Sequence, residues 1–352
     1  MSELRTLLGE TVTRLFTDLV TKELIEAAEK GAWPDRLWRA LEEGGLTLPL
    51  VPETHGGAGG TWEDAHVVLR AAGRHTAPVP LAETIVGSWL LAGAGLTVPP
   101  GPLTVAPVRG DERLGLARAG DGWRLSGTAT RVPWGAAAGH VVVVTDVAGR
   151  TMVALVAAGT GRADTDRNLA LEPRDTLTFD EVPVVDAARA PDRLPAHAIR
   201  LYGALVRSAQ MAGALDGVLQ QSVRYASERR QFGRPIGSFQ AIQQQLAVLA
   251  GHTAAAGIAA EQACRAAERG ECAFEVAVAK IRAGEAAGIA ASIAHQVHGA
   301  IGFTYEHALH FATRRLWSWR AEFGSESRWA AGLGHATAAR GAAALWPDLT
   351  AR

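Results

Sequence analysis

The sequence predicts a mostly α-helical fold with one small β domain in its middle. Apolar residues recur at helical spacing through residues 1–100; prolines and glycine then break the pattern and short β-branched runs fill residues 101–190. Helical periodicity returns after Pro191 and lasts through residues 191–352, which predicts a helical bundle.

In the first segment, Leu4, Leu7, Leu8, Val12 and Leu15 mark one helix, and Leu37, Leu41 and Leu46 mark a later one. The glycine-rich stretch HGGAGG ends at Gly60, before Thr61, a good N-cap with Asp64 at the third helical position. No Lys-Ser/Thr pair follows, so a structural turn is expected rather than a phosphate loop. In the middle segment, residues 141–144, 152–156 and 176–179 read as strands. In the last, Phe239, Ile242, Leu246 and Leu249 mark one buried helix face among four or five long helices.

A chain of 352 residues, 48% hydrophobic and 20% charged, can bury a large core. Its 35 basic residues nearly balance 36 acidic ones, so neither nucleic acid nor an anionic membrane is an expected partner. Cys264 and Cys272 give no disulfide framework or metal cluster and are expected to be buried thiols. The start lacks a signal-peptide pattern, and the longest apolar stretch, residues 82–96, falls short of the roughly 20 needed to span a bilayer. A cytoplasmic location is expected.

The most informative stretch is YASERRQFGRPIGSFQ, residues 225–240, followed by QVHGAIGFTYEHALHF at residues 296–311. The first places a cation, an aromatic ring and a glycine turn together after a helix ending near Glu228, a grouping able to hold a large anion. Thr304 is expected to cap a helix with Glu306 in its first turn, and His307 and His310 to lie on that helix as a packed or interfacial pair rather than a metal site. Together the two stretches resemble the signatures of flavin-dependent acyl-CoA dehydrogenases. The resemblance implies an N-terminal helical domain, a middle β domain and a C-terminal bundle. It also implies that Arg229 contacts the FAD pyrophosphate of a neighbouring subunit, that Phe232 lies against the cofactor, and that Gln240, Gln296 and Gly299 share the site.

The sequence departs from that family where catalysis needs it most. Removing the α-proton of an acyl-CoA takes a positioned carboxylate. One family position for it falls on Phe323, and the alternative position, counted back from Tyr225, falls on Gly203. Glu322 adjoins the vacancy as the candidate substitute; otherwise it is expected as a solvated loop carboxylate or a partner of Arg320. The family's EPGAGSD-like segment is replaced by VAPVRGDERLGLARAGDG, and Arg131, Val132 and Pro133 stand where the family contacts the isoalloxazine ring.

These departures make the chain similar to the shorter, degenerate subunit of heterotetrameric actinobacterial steroid-type acyl-CoA dehydrogenases. The resemblance then implies a second acyl-CoA dehydrogenase subunit that supplies the base, an acyl-CoA substrate, FAD, and an electron-transfer flavoprotein as acceptor. Two other readings stay open: a self-sufficient homotetramer using Glu322 or His298 as base, and a non-enzymatic binding protein on the same fold.

Overall fold

A computed structural model describes residues 3–350. Five helices come first: α1 (Glu3–Leu19), α2 (Lys22–Glu29), α3 (Asp35–Glu43), α4 (Trp62–Arg74) and α5 (Leu81–Gly93). Leu4 and Leu7 of α1 are exposed, whereas Val12 and Phe16 are buried and Leu8 and Leu15 are half-buried against the core. Thr61 caps α4 in a capping box: its hydroxyl accepts from the Asp64 amide while the Asp64 carboxylate accepts from the Thr61 amide. The expected turn at residues 55–60 therefore delivers the chain into a helix. Helix α5 is buried almost throughout, which accounts for the long apolar stretch.

Eight strands follow: β1 (Leu103–Ala106), β2 (Leu114–Ala119), β3 (Gly122–Pro133), β4 (His140–Val147), β5 (Arg150–Ala157), β6 (Arg162–Asp164), β7 (Arg174–Pro183) and β8 (Asp186–Arg189). They form two four-stranded sheets, ordered β1-β4-β5-β8 and β2-β3-β7-β6. Only β1 and β4 pair in parallel, with Val105 opposite Val142. The β4–β5 hairpin sets Val143 opposite Ala154, and its apolar run is buried on both faces, between α5 and the second sheet.

The last segment holds α6 (Ala198–Glu228), a short hairpin β9 (Arg230–Gln231) and β10 (Arg234–Pro235), α7 (Gln240–Arg269), α8 (Ala273–His298), α9 (Leu309–Trp319), α10 (Glu326–Arg340) and α11 (Ala342–Thr350). Helix α6 packs against α4, α7, α8 and α9, and alanines line the buried sides of α7 and α8, letting their backbones approach closely. Of the expected buried face on α7, only Leu249 is fully enclosed; Phe239, Ile242 and Leu246 are half-buried. Cys264 and Cys272 are buried and free. No helix among the described residues is long and apolar enough to cross a membrane.

Thr304 corrects one expectation. Its hydroxyl donates to the Ile301 carbonyl at 2.9 Å and closes a 3-10 turn over residues 299–303, while α9 starts only at Leu309. Glu306 and His307 consequently precede the helix, and only His310 lies on it.

Candidate functional site

The chain folds so that the two sequence motifs meet. Tyr225, near the end of α6, stacks on His298 at the end of α8 with ring centroids 4.5 Å apart and planes at 25°. His307 closes the group, 4.7 Å from His298, and His295 stacks on Phe303 at 4.4 Å. Burial, the first cause in each case, lowers the pKa of His295, His298 and His307, so these rings pack in their neutral form at neutral pH.

Beyond this aromatic base the chain opens outward. Arg229 is the exposed C-cap of α6, and its carbonyl accepts from the Ile236 amide at 2.8 Å, closing the β9–β10 hairpin. Phe232 and Gly233 form the hairpin tip with φ of +51° and +78°. Left-handed backbone is natural for Gly233 but strained for phenylalanine, and Phe232 is also 91% exposed. Strain combined with an aromatic ring held in water marks a contact surface rather than a folding element. Gln240 begins α7, Gln296 lies in the last turn of α8, and Gly299 follows it at φ +62° with open space where a side chain would point. All three are exposed.

The two positions at which a base is expected lie against each other. A Cβ built on Gly203 of α6 would collide with the Phe323 ring, so the benzyl group occupies the very space a side chain at residue 203 would need. Phe323 is 3% exposed and has φ +54°, strain maintained by the packing of its ring. The Arg207 guanidinium sits 5.7 Å from the Phe323 ring centroid and 5.4 Å from that of Trp319.

Glu322 is neither a solvated carboxylate nor the partner of Arg320, which pairs with Glu326 instead. Its side chain is 10% exposed and points into a buried ion network at the junction of α5, α6, β7 and the loop after α9. Its oxygens accept from Arg174 at 2.7 and 3.1 Å and from Asn168 at 3.2 Å, and Arg207 lies at 2.9 Å. Arg207 also reaches Glu83 at 2.6 Å, and Arg174 reaches Glu172 at 2.9 Å. Burial alone would raise the Glu322 pKa, but Arg174 and Arg207 overcome it and hold the group below the usual carboxylate range. Glu172, subject to the same opposition, is held down to about 2 by Arg174, Arg315 and Arg207. A carboxylate clasped this way is a poor proton acceptor at neutral pH.

Sequence reasoning missed Arg207, Arg174, Glu83 and Lys280. Lys280 is fully buried, and its ammonium donates to the carbonyls of Arg320 at 2.6 Å, Gly324 at 2.9 Å and Trp319 at 3.3 Å, tying down the loop that carries Phe323. Burial pushes its pKa to about 7 against the pull of Glu322 and Glu326. The signal was present: Arg207 and Lys280 interrupt runs of alanine, valine and leucine that read as buried faces.

In the β domain, Val132 and Pro133 are buried at the end of β3, and the Pro133 carbonyl accepts from Thr104 at 2.5 Å. Arg131 is exposed with φ +56°. This segment offers no hydroxyl at those three positions and, at Pro133, no backbone donor.

Comparisons with known proteins agree with this architecture. Residues 2–96 match the acyl-CoA dehydrogenase N-terminal domain, and residues 201–327 match the acyl-CoA dehydrogenase C-terminal domain. The acyl-CoA dehydrogenase IpdE2 of Mycobacterium tuberculosis is 30% identical over 320 residues, spanning 89% of this chain and 91% of that protein. The ChsE4-ChsE5 complex from Mycobacterium tuberculosis aligns with a TM-score of 0.86 and 27% identity over 95% of this chain and 97% of its own. A Tcur3481-Tcur3483 steroid ACAD aligns with a TM-score of 0.87 and 30% identity over 97% of this chain and 99% of its own. Sustained along nearly the whole length of both partners in each comparison, these matches establish that the chain belongs to the acyl-CoA dehydrogenase family.

Proposed function

We propose that this chain is the non-catalytic, FAD-completing subunit of a heteromeric acyl-CoA dehydrogenase that desaturates a CoA thioester between its α and β carbons. The observation that carries the reading is the mutual filling of the base position by Phe323 and Gly203, beside a Glu322 already committed to Arg174 and Arg207. The self-sufficient homotetramer needs Glu322 or His298 free to act as base, and the geometry weighs against both, since Glu322 is clasped by Arg174 and Arg207 and His298 is buried against Tyr225. Two structural neighbours are paired chains, the ChsE4-ChsE5 complex and the Tcur3481-Tcur3483 steroid ACAD, which favours a partner chain of the same family and a steroid-type acyl group.

The residues suit one half of the cofactor and not the other. Exposed Arg229 offers a planar fork to phosphate oxygens, Gly233 and Gly299 leave backbone open to a bulky ligand, and Phe232 presents a ring face. Gln240 and Gln296 add amide donors and acceptors on the same arm. Arg131, Val132 and Pro133 give the flavin ring no comparable seat. FAD, when bound, accepts the hydride leaving the β carbon. This chain's part is to hold the ADP end, while the partner supplies the carboxylate and the ring pocket. Division of the chain at residues 100 and 190 follows from the same reading, as does a cytoplasmic location, which the two free thiols favour.

The test is to purify the chain alone and together with a base-bearing acyl-CoA dehydrogenase chain from the same source, recording flavin content and assembly mass. The expected result is a colourless lone chain and a yellow complex containing both chains. A lone chain that binds FAD and oxidises acyl-CoA overturns the proposal.

A further inference from the structure

We propose that His295, His298, His307 and His310 form an acid-opened latch, which holds residues 299–308 against the ends of α6 and α8 at neutral pH and releases them when more than one ring takes up a proton. That segment joins Gly299 of the arm to α9, and its main attachments are ring contacts with these histidines. Phe303 stacks on His295 at 4.4 Å, Tyr305 meets His310 edge-on at 5.4 Å, and His307 meets His298 at 4.7 Å. Phe303 and Tyr305 are otherwise 73% and 77% exposed, and Lys22 adds one hydrogen bond to the Glu306 carbonyl at 3.3 Å.

Hydrogen bonding suits each ring only in its neutral form. His298 and His310 each donate from Nδ1 to a carbonyl, that of Ala294 at 2.7 Å and that of His307 at 2.8 Å, and their buried Nε2 atoms have no partner. Thr313 donates to the Leu309 carbonyl, so its oxygen accepts from His295 Nε2 at 3.0 Å, which leaves His295 Nδ1 buried and unpaired as well. His307 is committed the other way: its Nδ1 accepts from the Leu309 amide at 3.2 Å, at the first residue of α9. A second proton on any of the first three would be a buried donor without an acceptor, and one on His307 would face the Leu309 N–H.

Among the described residues, no carboxylate pairs with any of the four rings. Glu29, whose charge reaches His310, is paired with Arg314 at 2.7 Å and lies 3.8 Å from Arg315, while Arg314 and Lys22 oppose protonation of that ring. From α6 the Tyr225 ring faces His298 and His307, and Glu228 is turned to Arg224 at 3.0 Å. Burial, and after it the neighbouring histidines, lowers the pKa of His295, His298 and His307; at His310 burial leads and Arg314 adds to it. Opening returns the rings to water and to their ordinary affinity for protons. The hold is therefore complete above pH 6.5 and is lost as pH falls through the lowered values. The latch acts on the chain's own segment, whatever ligand the arm holds.

The experiment is amide hydrogen exchange of the full chain from pH 7 to pH 5, each rate divided by its intrinsic rate at that pH. Protection across residues 299–309 is expected to fall about a hundredfold, the effect of two histidines that bind protons far more readily in the open form, while β5 keeps its protection. Carboxylates titrate below this window, which sets the Glu322 network apart. The variant His295→Gln/His298→Asn/His307→Asn/His310→Asn, whose amides can reproduce the neutral hydrogen bonds and take up no proton, is expected to stay flat over the same range. His298→Asn/His307→Asn is expected to reduce the fall to about tenfold and carries the test should the fourfold variant fold poorly. Protection unchanged between pH 7 and pH 5, an equal fall in the variants, or a fall shared by the whole chain overturns the proposal.

Discussion

The arm around Arg229 and the pocket around Phe323 come from one helical bundle, yet they are built on opposite principles. On the arm, Arg229, Phe232, Gln240, Gln296 and Gly299 are exposed, and the one strained non-glycine residue points its ring into water. In the pocket, the strained residue points inward, and the charges around it are paired with each other. The contrast teaches that the same backbone device serves two ends. Where the ring faces solvent, strain is assigned under the proposed function to a ligand or partner; where it fills a hole, strain is held by packing and leaves a ligand nothing to bind.

The comparison can be broken first at the pocket. Arg174→Ala would leave Glu172 and Glu322 buried without their main cation, and chemical denaturation should show a loss of about 3–5 kcal/mol. A change under about 1 kcal/mol would mean that the network is not the buried, mutually dependent set described here. The same network sets an acid limit. Because the folded pKa of Glu172 is depressed from 4.5 to about 2, its contribution is fully present above pH 4.5 and is lost as pH falls toward 2. Stability that stays flat across that window contradicts the pairing.

Gly203→Ala tests the filled space itself. The added methyl must displace the Phe323 ring, and urea melts should register a loss of about 1–3 kcal/mol. No loss would show that the two base positions do not abut.

Smaller effects belong to the arm. In the assembled complex, Arg229→Ala should weaken FAD retention by about tenfold with the melting temperature of the FAD-free protein unchanged. Phe232→Gly sharpens the contrast further: relief of the left-handed strain should raise the stability of the chain by about 1 kcal/mol while FAD dissociates faster. A variant that gains stability and keeps its cofactor would assign the Phe232 strain to something other than FAD.

The fold was largely legible because periodicity is a local property. Val141–Val144 lie within β4, α6 ends at Glu228, and Thr61 caps α4, as spacing and residue type imply. The turn after α6 was legible for a related reason: Phe232-Gly233 before Pro235 advertises itself in sequence. The pocket was only half legible. Sequence spacing located Phe323 and Gly203 but could not show that they touch, since they are 120 residues apart. Glu322 was misread as a surface group because its partners, Arg174 and Arg207, come from β7 and α6, and only tertiary packing joins them. Thr304 misled for the opposite reason: a good capping residue was spent on a local 3-10 turn instead.

The central claim is that the proton leaves the substrate to an oxygen of another polypeptide. It is tested most directly by single-turnover bleaching of the flavin with acyl-CoA, comparing a complex carrying Glu322→Gln with one in which the partner's carboxylate base is replaced by its amide. The account predicts that the first complex, though less stable, bleaches at the parental rate per bound flavin, and that the second loses several orders of magnitude. Loss of bleaching in the Glu322→Gln complex, with its flavin still bound, would contradict it.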